Sequence, residues 1–282
     1  MRWMVVGAAG MLGQDLVALL AGRGHQVDGL DRPHIDITDP AQTVGLAGGY
    51  DVLVNVAAFT AVDPAETNEA AAFAVNAAGA ANLAASARDA GARIVHISTD
   101  YVFDGVADGP YAEDAPIAPR SAYGRTKAAG EWAVRATTPD HLVVRTAWLY
   151  GAHGACFPKT IARVASANGH VDVVADQVGQ PTWTRDLSDL IERLVAARVP
   201  AGVYHGTSGG QASWYEFARA VVEAAGQDPR IVAPTTTEAS ARPAPRPAWS
   251  VLGHDALMRA GVRPIRDWAE AWQAAAAEVL AG

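Results

Sequence analysis

The fold turns on residues 2–13, RWMVVGAAGMLG. The apolar run Arg2–Val6 predicts a buried first strand, and the residues from Met11 to Gly22 predict the helix after it. Between them Gly7, Gly10 and Gly13 stand in GxxGxxG spacing, a variant of the dinucleotide fingerprint. Glycine lets the backbone approach a pyrophosphate closely, and a helix N-terminus offers unpaired N–H groups and a partial positive charge. Such turns also arise for structural reasons. Here the turn follows an apolar strand at once, which favours the cofactor reading.

Beyond this unit a second strand is expected at about Gln26–Leu30, then a helix ending near Gly49 and a continuous apolar strand over Asp51–Val56. An Ala-rich helix follows over roughly Glu66–Ala90, then strands at Arg93–Ser98 and His141–Thr146, with a helix starting near Ser121 between them. Strand and helix alternating at this interval predict βαβ units and an α/β, doubly wound parallel sheet of Rossmann type. After Gly151 the pattern loosens, Ala233–Ser250 reads as loop, and Val203–His205 and Trp268–Val279 read as a short strand and a closing helix. The expected division is a dinucleotide-binding domain at 1–152 and a smaller C-terminal substrate lobe at 153–282, some segments of which return to the first domain.

Half of the 282 residues are hydrophobic, enough for a sizeable core, and no uninterrupted apolar run approaches the roughly 20 residues of a membrane span. The short apolar start is too brief for a secretory signal. A single cysteine, Cys156, allows no intrachain disulfide, so a cytoplasmic setting is expected and the residue reads as packing. A net charge of −8 argues against a general nucleic-acid binder. No membrane partner is expected either. Only two of the 22 basic residues are lysines, Lys127 and Lys159, so each invites the question of why it is not arginine.

Asp31 ends the second strand, 18 residues after Gly13, where a carboxylate accepts hydrogen bonds from an adenosine ribose. Arg32 beside it can instead receive a 2′-phosphate, so NADPH and NADH both stand as cofactors. In the DITD stretch, Asp39 reads as a helix N-cap. Ser98 and Thr99 close a buried strand, and a hydroxyl there can bond a substrate carbonyl. Tyr123 and Lys127 lie four apart and share a helix face. A free phenol has a pKa of about 10, which a neighbouring ammonium lowers. Lysine's compact charge suits that task and arginine's fork does not, which would explain Lys127. Asp63 and Glu66 read as a helix start or as paired carboxylates. The histidines show no ligand spacing, so no metal site is expected.

Together these motifs resemble the extended short-chain dehydrogenase/reductase superfamily. More narrowly, NVAAFTAVDPAE (55–66), STDYVFDG (98–105), YGRTK (123–127), RTAWLYG (145–151), DQVGQPT (176–182) and RPAWS (246–250) resemble the dTDP-4-dehydrorhamnose reductase family in that order. The resemblance implies reduction of the C4 ketone of dTDP-6-deoxy-L-lyxo-4-hexulose to dTDP-L-rhamnose. It implies Gly10, Met11 and Leu12 at the pyrophosphate, Asp31, Asp36 and Ile37 near the adenosine, and Ala58, Phe59 and Thr60 along the cofactor. It also places Thr99, Asp100 and Trp148 at the sugar, with Tyr123 as proton donor and Lys127 as its support. Phe59 and Met11 depart from the family's usual residues there. With no acidic cluster near the C-terminus, a monomer or weak homodimer without metal is expected. Two rival readings share these motifs: a 4-ketoreductase for another nucleotide-activated deoxysugar, and a non-catalytic NADP-binding regulatory subunit.

Overall fold

The computed structural model describes residues 1–281. Its chain order begins β1 (Arg2–Val6), α1 (Met11–Gly22), β2 (Gln26–Leu30), α2 (Pro40–Thr43), β3 (Val52–Asn55) and α3 (Val62–Ala65). Then come α4 (Glu69–Phe73), a π-helical turn (Ala74–Gly79), α5 (Ala80–Ala90), β4 (Arg93–Thr99), a 3-10 turn (Asp100–Val102), α6 (Ala122–Thr137) and β5 (His141–Thr146). The remainder is β6 (Leu149–Tyr150), α7 (Phe157–Asn168), β7 (Val171–Val174), β8 (Val178–Gly179), β9 (Thr182–Trp183), α8 (Thr184–Ala196), β10 (Gly202–His205), β11 (Ala212–Ser213), α9 (Trp214–Ala224), a 3-10 turn (Pro229–Ile231), β12 (Val232–Thr235), α10 (Asp255–Arg259) and α11 (Trp268–Ala281).

Six parallel strands form the main sheet in the order β10-β5-β4-β3-β1-β2. β3 is mostly apolar, and β3 and β4 are buried along most of their length because helices cover both faces. One face packs Leu12, Leu16 and Leu20 of α1 against Leu187, Leu190 and Leu194 of α8. The other packs Leu83, Ala84 and Ala87 of α5 against Met4, Leu53 and Ile94. The doubly wound sheet is as expected. Its last strand, β10, comes from the C-terminal half, as do α8 and α10, while α7, α9 and α11 surround a separate apolar cluster centred on Tyr150, Phe217 and Trp272.

Two helices differ from the expectation. α2 stops at Thr43, and the chain turns through Gly45 and Gly49 at positive φ, so no helix reaches Gly49. The helix expected over Glu66–Ala90 begins only at Glu69 and carries one π-helical turn, where Asn76 turns its amide to Phe59 and Thr126. π-turns of this kind often mark functional sites. The run Glu69–Ala90 has a mean hydropathy of 1.2 and is long enough to span a bilayer, but half of its most apolar window is buried inside the fold. It is a core helix.

Candidate active site

The order of strands reverses between β1 and β3, and ligands bind in the crevice such a switch opens at the strands' C-terminal ends. A cleft of about 920 Å³ lies there, lined from Gly7 around to Trp214. On one wall Gly7 adopts φ 92°, and a Cβ on it would lie 2.6 Å from the Ala57 nitrogen. A Cβ on Gly13 would lie 2.3 Å from the Gly7 oxygen. Only glycine permits this tight strand-to-helix turn. Gly10 caps α1 without a side-chain hydrogen bond, and Gly10, Met11 and Leu12 line the cleft. The α1 N-terminus is therefore open to an anion. Gly13 does not reach the cleft; it serves the turn beneath.

Asp31, Arg32, Ile35, Asp36, Ile37 and Thr38 form the outer end of the cleft. The Ala9 N–H donates to Asp31 Oδ2, fixing that carboxylate beside the glycine turn and leaving Oδ1 for another donor. Asp36 accepts from the Thr38 N–H at 2.9 Å and from its hydroxyl at 2.7 Å, bonds that hold its carboxyl below the usual range and brace the loop. Asp39 caps α2 by accepting from the Ala41 N–H, as expected. The glycine turn, the open helix end and the fixed Asp31 fit a dinucleotide.

Ala58 and Thr60 line the cleft beyond β3. Phe59 does not, contrary to expectation. Asn76 grips both its backbone N–H and its carbonyl, and its ring packs beside Tyr123 against Ala65, Ala72 and Ala122.

β4 and α6 bring Thr99, Asp100, Tyr123 and Lys127 together on the cleft. Ser121 starts α6 by accepting from the Gly124 N–H, which aims Tyr123 inward to meet the Tyr101 ring edge-on at 5.6 Å. The Lys127 ammonium is buried and donates to the Ile97 carbonyl at 2.6 Å. Desolvation pulls it down to about 8, with Glu131 opposing. Burial pushes the Tyr123 phenol up to about 12, opposed by the nearby Thr99 hydroxyl. The shift runs opposite to the expected direction, because burial dominates and Lys127 is not among the groups that move the phenol. A phenol so placed stays protonated at neutral pH and can act as an acid. The Thr99 hydroxyl donates to Asp100 Oδ1 at 2.8 Å and accepts from the Tyr101 N–H at 3.2 Å. In this structure the Thr99 proton points to Asp100, within reach of the Tyr123 phenol as well. Burial pushes Asp100 up to about 6, and among the described residues its Oδ2 has no hydrogen-bond partner.

Trp148 is neither a core residue nor a free platform. It is half-buried at φ 48°, with its ring stacked on Trp214 at 3.6 Å and 8°. Trp214, which lies in none of the sequence motifs, also lines the cleft. Ser213 and Glu216 form a capping box at the start of α9, and that Ser-x-x-Glu spacing was the available signal. Asp63 and Glu66 are not paired with each other: Asp63 accepts from Arg246 at 2.9 Å, and Glu66 accepts from the Ala122 N–H at 2.8 Å. Cys156 is buried ahead of α7.

Comparison with known proteins places this geometry. The family described as RmlD substrate binding domain matches residues 1–281. A dTDP-4-keto-6-deoxy-D-glucose reductase of Streptomyces niveus is 49% identical, covering 96% of this chain and 94% of the relative. A dTDP-4-dehydrorhamnose reductase of Streptomyces griseus is 47% identical over 95% of this chain and 90% of the relative. The crystal structure of dTDP-4-dehydrorhamnose reductase from Bacillus anthracis in complex with NADP superposes with a TM-score of 0.94 at 35% identity, covering 98% of this chain and 99% of that one.

Proposed function

The chain belongs to the RmlD substrate binding domain family, and from that premise we propose that it is an NAD(P)H-dependent reductase of the C4 ketone of dTDP-6-deoxy-L-lyxo-4-hexulose, yielding dTDP-L-rhamnose. The observation that carries this reading is Tyr123, Lys127 and Thr99 meeting on the cleft that begins at the glycine turn.

Gly7, Gly10, Met11 and Leu12 hold the pyrophosphate, and Asp31 takes a ribose hydroxyl through its free oxygen. Arg32, on the same wall, answers a 2′-phosphate, so the chain uses NADPH or NADH. When bound, the nicotinamide supplies the hydride that reduces the ketone carbon. Tyr123 donates its phenolic proton to the ketone oxygen as negative charge develops there. Lys127, cationic below about pH 8, stabilises the phenolate left behind. The Thr99 hydroxyl, beside the phenol, supports the negative charge that develops there. Trp148 and Trp214 present a rigid aromatic wall for the sugar. Residues 1–152 carry mainly the cofactor, and 153–282 mainly the substrate.

This assignment describes a cytoplasmic monomer or weak homodimer that binds neither nucleic acid nor membrane; the charge of −8 and the single cysteine support it. A second reading, reduction of another dTDP-4-keto-6-deoxysugar, is favoured by the relative at 49% identity. The experiment is to follow NADPH absorbance on adding each dTDP-ketosugar and to identify the product sugar. Oxidation with only a different ketosugar selects the second reading, and no oxidation with any of them refutes both.

A further inference from the structure

Beneath the cleft, β4, β5 and α6 enclose a group of charges that the reaction described above does not use. Glu131 and Arg145 are both buried. Glu131 Oε1 accepts from the Ser98 hydroxyl at 2.5 Å and from Arg145 Nε at 2.9 Å, and Oε2 accepts from Arg145 Nη2 at 2.8 Å. Arg145 Nη1 also donates to the Glu113 carbonyl at 3.1 Å, and the guanidinium lies 4.9 Å from the Phe103 ring centroid. Ser98 and Arg145 are register partners on β4 and β5, so the carboxylate of α6 straddles two neighbouring strands.

We propose that Glu131 is a positioning residue for proton transfer: its carboxylate ties α6 to the strand end that carries Thr99 and sets the charge environment of Lys127 one helical turn away. This rests on the reading of Tyr123 and Lys127 as the proton-transfer pair. Two observations carry it. First, a buried ion pair is a poor device for stability alone, since well-packed apolar residues often do as well or better. Its place directly under the reacting groups needs another reason. Second, Lys127 and Glu131 are four apart on α6, which brings their Cβ atoms to about 5–6 Å. Among the described residues the ammonium has one hydrogen-bond acceptor, the Ile97 carbonyl, and it is buried.

The titratable groups around Lys127 are Tyr123 and Glu131 on its own helix, His96 on β4, Asp100 just past the end of β4, and Arg145 reaching Glu131 from β5. His96 is buried, and burial together with Lys127 holds it uncharged. The π-helical turn contributes Asn76, which does not titrate. Glu131 is thus the carboxylate that opposes desolvation of the ammonium.

The chain's two lysines make the test direct. In protein labelled with 13C-lysine, the Lys127 side-chain signal is followed against pH without substrate, beside the pH profile of kcat/KM. The wild-type midpoint should lie near pH 8. In Glu131→Gln it should fall by about one unit or more, the size of effect a close opposite charge has. Activity needs the cationic lysine, so the alkaline limb of the profile should move down with it. Glu131→Gln strands Arg145, so Glu131→Leu/Arg145→Met is the companion variant: it leaves no unpaired charge and should show a smaller fall in the same direction. An unchanged Lys127 midpoint in either folded variant overturns the proposal. Because the titration needs no ketosugar, it decides the matter even if the assigned substrate is wrong.

Discussion

Replacing Gly124 by alanine tests how tightly α6 is seated against the active-site strand end. A Cβ there would lie 2.3 Å from the Tyr101 carbonyl oxygen and 3.1 Å from Pro119 Cβ. Ordinary contact needs roughly 1 Å more, so either α6 or the turn carrying Thr99, Asp100 and Tyr101 must move by about that much. Overpacking of this kind costs about 1–3 kcal/mol. Alanine recovers up to about 1 kcal/mol of helix propensity over glycine, so the net loss of stability is about 0–3 kcal/mol. Catalysis should suffer more: a displacement of about 1 Å costs on the order of 10²-fold, or about 2.7 kcal/mol of transition-state stabilisation. Urea unfolding and steady-state turnover, measured on one preparation, give both numbers. Gly22→Ala serves as the control, because a Cβ at Gly22 meets nothing within 4 Å and turnover should be unchanged. Wild-type turnover in Gly124→Ala at unchanged stability would refute the reasoning, since the seating would then have slack.

Tyr123→Phe removes the proton donor and keeps the ring, so turnover should fall about 10²–10⁴-fold while NADP⁺ affinity, read by fluorescence titration, stays put; near-normal turnover would assign the acid elsewhere. Asp100 is raised in the folded state from 3.8 to about 6, so folding favours its protonated form, and the penalty for holding it ionised grows as pH rises from 3.8 through about 6. Asp100→Asn should therefore stabilise the fold by up to about 3 kcal/mol at pH 8 and by little at pH 4, while lowering activity; equal effects at both pH values contradict this account. His96 and His205 are buried and uncharged, His205 being held down at about 3 by burial and then by Arg145. Their contribution to stability is complete above about pH 6.5 and is lost as pH falls towards 3, so the urea midpoint should drop between pH 7 and pH 5; a flat profile would mean that these rings are hydrated.

What could be read from sequence were features whose physics is local. The glycine turn, Asp31 at a strand end and Tyr123 four residues before Lys127 each declare themselves within a short window, and the cleft unites them. The rest depended on contacts between distant residues. Gly13 and Phe59 sit in the right motifs, but packing turns them away from the cleft. The π-helical turn in the Ala-rich helix carries the Asn76 amide, whose partners Phe59 and Thr126 lie far off in the chain. The downward shift expected of the Tyr123 phenol was inferred from its neighbour's charge; its burial, which reverses the sign, is set by the whole fold. Trp214 and the Glu131–Arg145 pair come from separate elements, and only their meeting gives them meaning.

The central claim is that Tyr123, Lys127 and the glycine-turn cleft together reduce a sugar ketone at C4. The most direct measurement uses NADPH deuterated at the transferable position of the nicotinamide, with dTDP-6-deoxy-L-lyxo-4-hexulose as acceptor and mass spectrometry and NMR of the product. The account predicts dTDP-L-rhamnose with one deuterium at C4 for each NADPH oxidised, and almost none with Tyr123→Phe. Tight NADPH binding with no label in the sugar, or label at a carbon other than C4, would contradict it.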